Sequence, residues 1–229
     1  PSSFPDADLV FALGTGEPDA VGTIALAHAV TGQRLVAINR YGAVTEVRAG
    51  SVAGSATQDA TLDQGTPLVN GGAGATLRVY PRNIGFNRRG ILAFDLAGIP
   101  PGAHIDRADL TLREVATFGA ARTIGVYRVT RAWTGSQVTW NVATTGTNWT
   151  TGGGDYDPVP TNAQLIPWTG AFKSDTWDVR TDVQRFVDGT AVNNGWVLRD
   201  TNEDTSEAFW YFSSREGATP PTLAVTFSF

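Results

Sequence analysis

Apolar and polar positions alternate most clearly in two stretches. Ala108-Asp109-Leu110-Thr111-Leu112-Arg113 and Thr222-Leu223-Ala224-Val225-Thr226-Phe227 each place apolar side chains on one face and polar ones on the other. That is the period-two signature of a half-buried strand. Related patterns predict strands at Leu77–Tyr80, Arg89–Asp95, Arg107–Glu114, Thr123–Val129, Val138–Val142, Gly195–Arg199, Phe209–Ser213 and Thr222–Phe229. About eight strands at irregular spacing predict an all-β domain: a two-sheet antiparallel β-sandwich of the jelly-roll kind. One segment has a different period. In TWDVRTDVQRFVDG, Val179, Val183, Phe186 and Val187 share a helical face, with Asp178 placed as N-cap and Gly189 as terminator. This predicts a single short helix capping one end of the sandwich.

The first fifty residues carry no tryptophan and predict short strands at Leu9–Leu13, Thr23–His28, Arg34–Asn39 and Ala43–Arg48, separated by turns. Fifty residues cannot bury such a β arm by themselves. The expected organisation is an assembly or docking arm over residues 1–55 and a sandwich domain over 56–229. The join falls near 50–58, in a small-residue stretch whose early part reads as a linker. The arm is expected to pack on the main domain, on other copies of the chain or on a larger assembly.

Composition narrows the function classes. A net charge of −5 argues against a nucleic-acid surface, which needs a basic stripe. Without cysteine there is no disulfide framework, zinc–thiolate site or thiol nucleophile. No apolar run approaches membrane-spanning length, so no membrane insertion is expected. The opening PSSFPDADLVFALG has no basic n-region or apolar h-region, hence no signal peptide. Such a start fits a piece of a longer secreted protein, or a product whose initiator Met was removed.

All seven tryptophans lie between Trp133 and Trp210. Tryptophan in a β domain is either core or an exposed platform for a sugar ring. Trp133, Trp140, Trp177 and Trp196 have apolar neighbours and read as core. Trp149 and Tyr156, flanking the GGG loop, and Trp168 in PWTG read as exposed, beside Asn148, Asp155, Asp157 and Asn162. Trp210 and Tyr211 are adjacent in a strand, so only one can face the core. Arg82, Arg88 and Arg89 form the local guanidinium cluster that an acidic polysaccharide would require. Asp155 and Asp157 sit two apart in a glycine loop, an oxygen-donor arrangement compatible with a structural Ca²⁺ ion. The histidines, His28 and His104, have no nucleophile partner at recognisable spacing, and the chain reads as non-catalytic.

Four signatures occur in order from about residue 58: NRRGILAFDLAGIPPGAHIDRADLTLREV, IGVYRVTRAWTGSQVTWN, WDVRTDVQRFVDGTAVNNGWVLRD and FWYFSSREGATPPTLAVTF. Together they resemble the DNRLRE-type β-sandwich domains, a family that includes alginate-binding carbohydrate-binding modules. The resemblance leaves out residues 1–50. Phe186 stands where the family often has Trp, Arg215-Glu216 follows Ser213-Ser214, and Thr219-Pro220-Pro221 replaces the usual Arg-Pro. It implies a surface or extracellular module that binds a polysaccharide or cell-surface glycan without chemistry. The alternative is a structural virion protein (phage head decoration, fibre or tail component) displayed on the virion surface and assembling through its arm.

Overall fold

The computed structural model describes residues 22–28, 32–38, 44–83, 85–169, 171–204 and 207–228. The chain divides into two compact units, Pro1–Arg48 and Ala49–Phe229. In the first, β1 (Gly22–His28) and β2 (Gly32–Ile38) form an antiparallel hairpin in which Gly22 faces Ile38 and His28 faces Gly32. These match two of the arm strands read from the sequence. Leu9–Leu13 and the turns lie outside the described residues.

The strands that follow are β3 (Val44–Ser55), β4 (Gln58–Asp63), β5 (Thr76–Val79), β6 (Arg88–Ala93), β7 (His104–Phe118) and β8 (Arg122–Arg128). After them come β9 (Val142–Thr144), β10 (Thr147–Asn148), β11 (Asn162–Ile166) and β12 (Ser174–Asp178), then helix α1 (Arg180–Val187). The last three are β13 (Trp196–Asp200), β14 (Phe209–Ser213) and β15 (Thr222–Ser228). In the second unit one sheet runs β3-β15-β7-β14-β5, with β12 also pairing β7, and the other runs β11-β8-β13-β6-β4. Every pairing described is antiparallel. From β4 to β8 successive strands alternate between the sheets, as a two-sheet sandwich requires.

The main core lies between the sheets. Leu77, Leu110, Leu112, Trp210, Phe212 and Val225 come from one, and Leu92, Ile124, Val126, Trp196 and Leu198 from the other. Trp177 crosses between them: its ring meets Phe212 edge-on at 5.9 Å and its Nε1 donates to the Ile124 carbonyl. Helix α1 lays Val183 into this core, and its Phe186 ring sits 5.7 Å from Trp196. Asp178 does not occupy the N-cap itself. That position is Val179, and Asp178 at the end of β12 accepts the Arg180 amide from one residue further back. Gly189, at φ +67°, ends the helix as expected: its amide donates to Phe186 O while Thr190 N donates to Arg185 O, a Schellman motif.

A second core covers the opposite face of the β11-β8-β13-β6-β4 sheet. Ala60, Leu62, Ile91, Ala93 and Val197 are roofed by Trp133, Val138, Trp140, Ala143 and Trp149. The strand expected at Val138–Val142 is a turn here. The Thr139 hydroxyl accepts the amides of Asn141 and Val142, which folds the segment so that Val138 and Trp140 both reach this core. The stretch read as linker is strand instead, the end of β3 and the whole of β4.

Candidate functional site

Four of the seven tryptophans, Trp133, Trp140, Trp177 and Trp196, are buried, as their sequence context indicates, and so is Trp210. Trp149 is buried too, at 6% exposure, against the expectation of an open platform. Its Nε1 donates to Thr139 O and its amide to Asn141 O, so the ring is clasped by the turn it packs under. Tyr156 is half-buried. Its hydroxyl accepts Arg199 Nη1 at 2.7 Å, and its ring lies 5.3 Å from Tyr127. Trp168 is 54% exposed and, among the described residues, makes no ring contact with Trp149 or Tyr156.

The pleat of β6 separates Arg89 from Arg88, while Arg88 and Arg82 meet over the Tyr80 ring. Arg89 points into the second core, where Nε and Nη2 form a two-pronged pair with Glu203 at 2.8 and 2.7 Å and Nη1 donates to Gly153 O. Burial works against the Arg89 charge, but the Glu203 carboxylate outweighs it and holds the pKa above the ordinary arginine value. Arg89 is therefore a framework residue. Arg88, one residue back, emerges on the other face, bonding Asp63 through Nε and reaching the Tyr211 hydroxyl.

Asp155 and Asp157 are each claimed by an arginine. Asp155 accepts Arg131 Nε, the amides of Thr150 and Thr151 and the Thr150 hydroxyl. Partial burial pushes its pKa up, and these donors more than offset that, leaving it below the usual carboxylate value. Asp157 accepts Arg128 Nη2 at 2.7 Å. Asp155 thus spends both oxygens on donors of its own chain, whereas Asp157 shares only Oδ2 with an arginine.

The sequence reading missed the most exposed assembly of rings and cations. On the outer face of β7-β14-β5, Phe118 pairs with Phe209 and Arg78 with Tyr211. The rings of Phe118, Phe209 and Tyr211 form a stacked row, with centroids 5.8 and 4.6 Å apart and planes inclined by 24° and 29°. Tyr80 meets Phe209 edge-on at 5.9 Å. Guanidiniums frame the row. Arg78 sits 5.2 Å over Tyr211, Arg88 5.6 Å over Tyr80, and Arg82 lies over both Tyr80 and Phe86. Arg82 is paired with Glu207 and Arg88 with Asp63, whereas Arg78 has no carboxylate partner among the described residues. Phe118 is 56% exposed, and Phe209, Tyr211 and Tyr80 are half-buried. Flat rings beside a guanidinium with no carboxylate among the described residues provide what stacking on a carboxylated sugar needs.

A cleft of about 440 Å³ is lined by Gln58, Asp59, Asn70, Thr134, Arg215 and Glu216, among others. Burial pushes the Asp59 carboxyl up to about 6. The Arg215 amide pulls it back, and the Glu216 charge adds to the rise. Below about pH 4 this group is neutral both folded and unfolded. Between about 4 and 6 the folded chain keeps a proton that the unfolded chain has released, so stability falls as pH rises through that window. Asp59→Asn is expected to remove this fall, gaining about 2–3 kcal/mol at pH 7 in metal-free buffer with little change at pH 3.5. Urea titrations at the two pH values check it.

The model of carbohydrate-binding module family 96 matches residues 51–227, which include all four sequence signatures. No curated protein matches the chain. The narrower DNRLRE label and residues 1–50 lie beyond the match, and no helix among the described residues is long and apolar enough to cross a membrane. Modules of this class are typically non-catalytic. With its antiparallel sandwich matched almost from end to end, the chain belongs to carbohydrate-binding module family 96.

Proposed function

We propose that the sandwich unit is a non-catalytic module, at an extracellular or surface location, that holds a carboxylated polysaccharide across the β7-β14-β5 face. The observation that carries this reading is the row Phe118-Phe209-Tyr211 with Arg78 stacked on its end and no carboxylate partner for Arg78 among the described residues. Sugar rings lie on the aromatic strip, which is the apolar feature of an otherwise polar outer face. A uronate carboxylate takes Arg78, and Arg82, 41% exposed and already sharing Glu207, is the next cation along. Arg88 positions the Tyr211 hydroxyl. Trp168, a single exposed ring, is a second and separate contact.

Affinity electrophoresis and calorimetry with alginate, polygalacturonate and a neutral glucan test this. Tyr211→Ala is expected to weaken binding to the acidic polymers about tenfold or more, at little cost in melting temperature because the ring is half-exposed. Arg78→Ala is expected to weaken the acidic polymers alone, by an amount that shrinks as salt is raised. Undiminished binding by the Tyr211→Ala/Arg78→Ala double variant overturns the assignment. So does a loss confined to Trp168→Ala.

A further inference from the structure

Arg113 stands on the same outer face as the aromatic row. The register fixes that face. Thr111 pairs with Thr176 across β7 and β12 and their hydroxyls meet at 2.8 Å, so Thr111 and Arg113 point away from Leu110 and Leu112, which lie in the core. Past Arg113 the strand bulges: Glu114 pairs with Phe212 and Ala116 with Tyr211, which leaves Val115 as the extra residue and turns Ala116 outward beside Tyr211. Carboxylates are close in sequence, yet the pleat sends them inward. Glu114 and Asp175 are buried, and both contact Lys173. Half-exposed Arg113 has no hydrogen bond, ion pair or ring contact among the described residues. On the same strand and face, by contrast, Arg107 is neutralised by Asp109. Arg78, likewise without a carboxylate among the described residues, lies on β5 opposite Tyr211. Two such guanidiniums therefore flank β14, one on the strand to either side of it.

We propose that Arg113 is a second carboxylate-binding residue, and that Arg78 and Arg113 together select polymers with runs of adjacent uronates over polymers whose carboxylates are sparse. This rests on the binding face assigned above. Neighbouring strands are about 4.8 Å apart, so β5 and β7 are separated by roughly 10 Å, with Arg113 offset further along β7. The Tyr211 ring lies between. A sugar stacked on that ring has a cation on each side, and its neighbours in the polymer extend toward them. A lone carboxylate answers one guanidinium and leaves the other bare, whereas a contiguous run answers both. Two like charges held on one face repel, and that repulsion is relieved only when anions reach both. The planar guanidinium fork matches a carboxylate in two-pronged geometry, which makes each contact directional rather than a general attraction. Ser174, exposed and paired with Arg113, adds a hydroxyl for the sugar at that end.

Two polymers test this on the full chain by calorimetry at low salt: polygalacturonate, with a carboxylate on every sugar, and heavily methyl-esterified polygalacturonate, in which few adjacent pairs remain. Arg113→Gln is expected to weaken binding to the first about fivefold and to the second by less than about twofold, with the melting temperature unchanged. Arg113→Lys is expected to recover only part of the loss, because the charge returns without the fork. Arg180→Gln removes the same charge from an exposed helix position and is expected to weaken neither polymer. The proposal is overturned if Arg113→Gln binds polygalacturonate like the parent, if it loses equally on both polymers, or if Arg180→Gln loses as much. In those cases weakened binding by Tyr211→Ala and Arg78→Ala keeps the binding face and removes Arg113 alone. Undiminished binding by the Tyr211→Ala/Arg78→Ala double variant removes the face and Arg113 with it.

Discussion

Arg89→Ala is expected to cost about 3–5 kcal/mol of unfolding free energy, which would leave a domain of ordinary stability close to unfolded. The pair it breaks is almost dry, with side-chain exposures of 9% for Arg89 and 7% for Glu203. Besides the guanidinium over the Tyr156 ring, three things are lost at once. Glu203 keeps only the Arg199 contact at 2.9 Å, Gly153 O loses its donor, and Trp140 loses the guanidinium stacked 4.7 Å above its ring. The penalty comes mainly from the carboxylate left behind, so its removal should return part of the stability. Arg89→Met/Glu203→Met is accordingly expected to be less destabilised than Arg89→Ala, because apolar side chains of similar length replace both charges. Urea denaturation of the two variants, compared at equal m-values, checks the order. If Arg89→Ala melts like the parent, the side chain is not the pillar of the second core that its contacts describe.

Arg89 also shows why the fold was more legible than the site. Strands with strict alternation, Arg107–Glu114 and Thr222–Phe229, can be read directly because one face is buried and the other wet. Strands covered on both faces, or built of small residues, hide that signal. In β4, Ala60 and Leu62 face the second core while Asp59 and Thr61 are buried as well, so QDATLD shows no apolar stripe. The end of β3, SVAGS, is too small and exposed to register. The helix was readable because Val179, Val183 and Phe186 all point one way. Arg82, Arg88 and Arg89 looked like one cluster because they are near in sequence, yet the two-residue period of a strand sends Arg88 and Arg89 to opposite faces. The aromatic row stayed hidden for the converse reason. Phe118, Phe209 and Arg78 come from three strands, and only the sheet register places them side by side.

Trp149→Ala is expected to destabilise the chain by about 3–5 kcal/mol, the cost of emptying a large buried aromatic site. Its ring shares the second core with Trp133, Trp140, Val138 and Ala143, and its Nε1 bond to Thr139 O pins the turn that brings Val138 and Trp140 inward. Removing it therefore opens a cavity and loosens the turn together. Trp168→Ala, at an exposed position, is expected to change stability by no more than about 0.5 kcal/mol. The contrast separates two roles for tryptophans nineteen positions apart, on either side of β11. Trp149 should lose polysaccharide binding only in step with unfolding, so that binding per folded molecule, measured below the melting transition, stays at the parental level. Tyr211→Ala should do the reverse, keeping its melting temperature while its affinity falls. If Trp149→Ala keeps its stability and loses affinity, Trp149 is a platform after all, and the binding face belongs on the side of the domain carrying the GGGDYD loop.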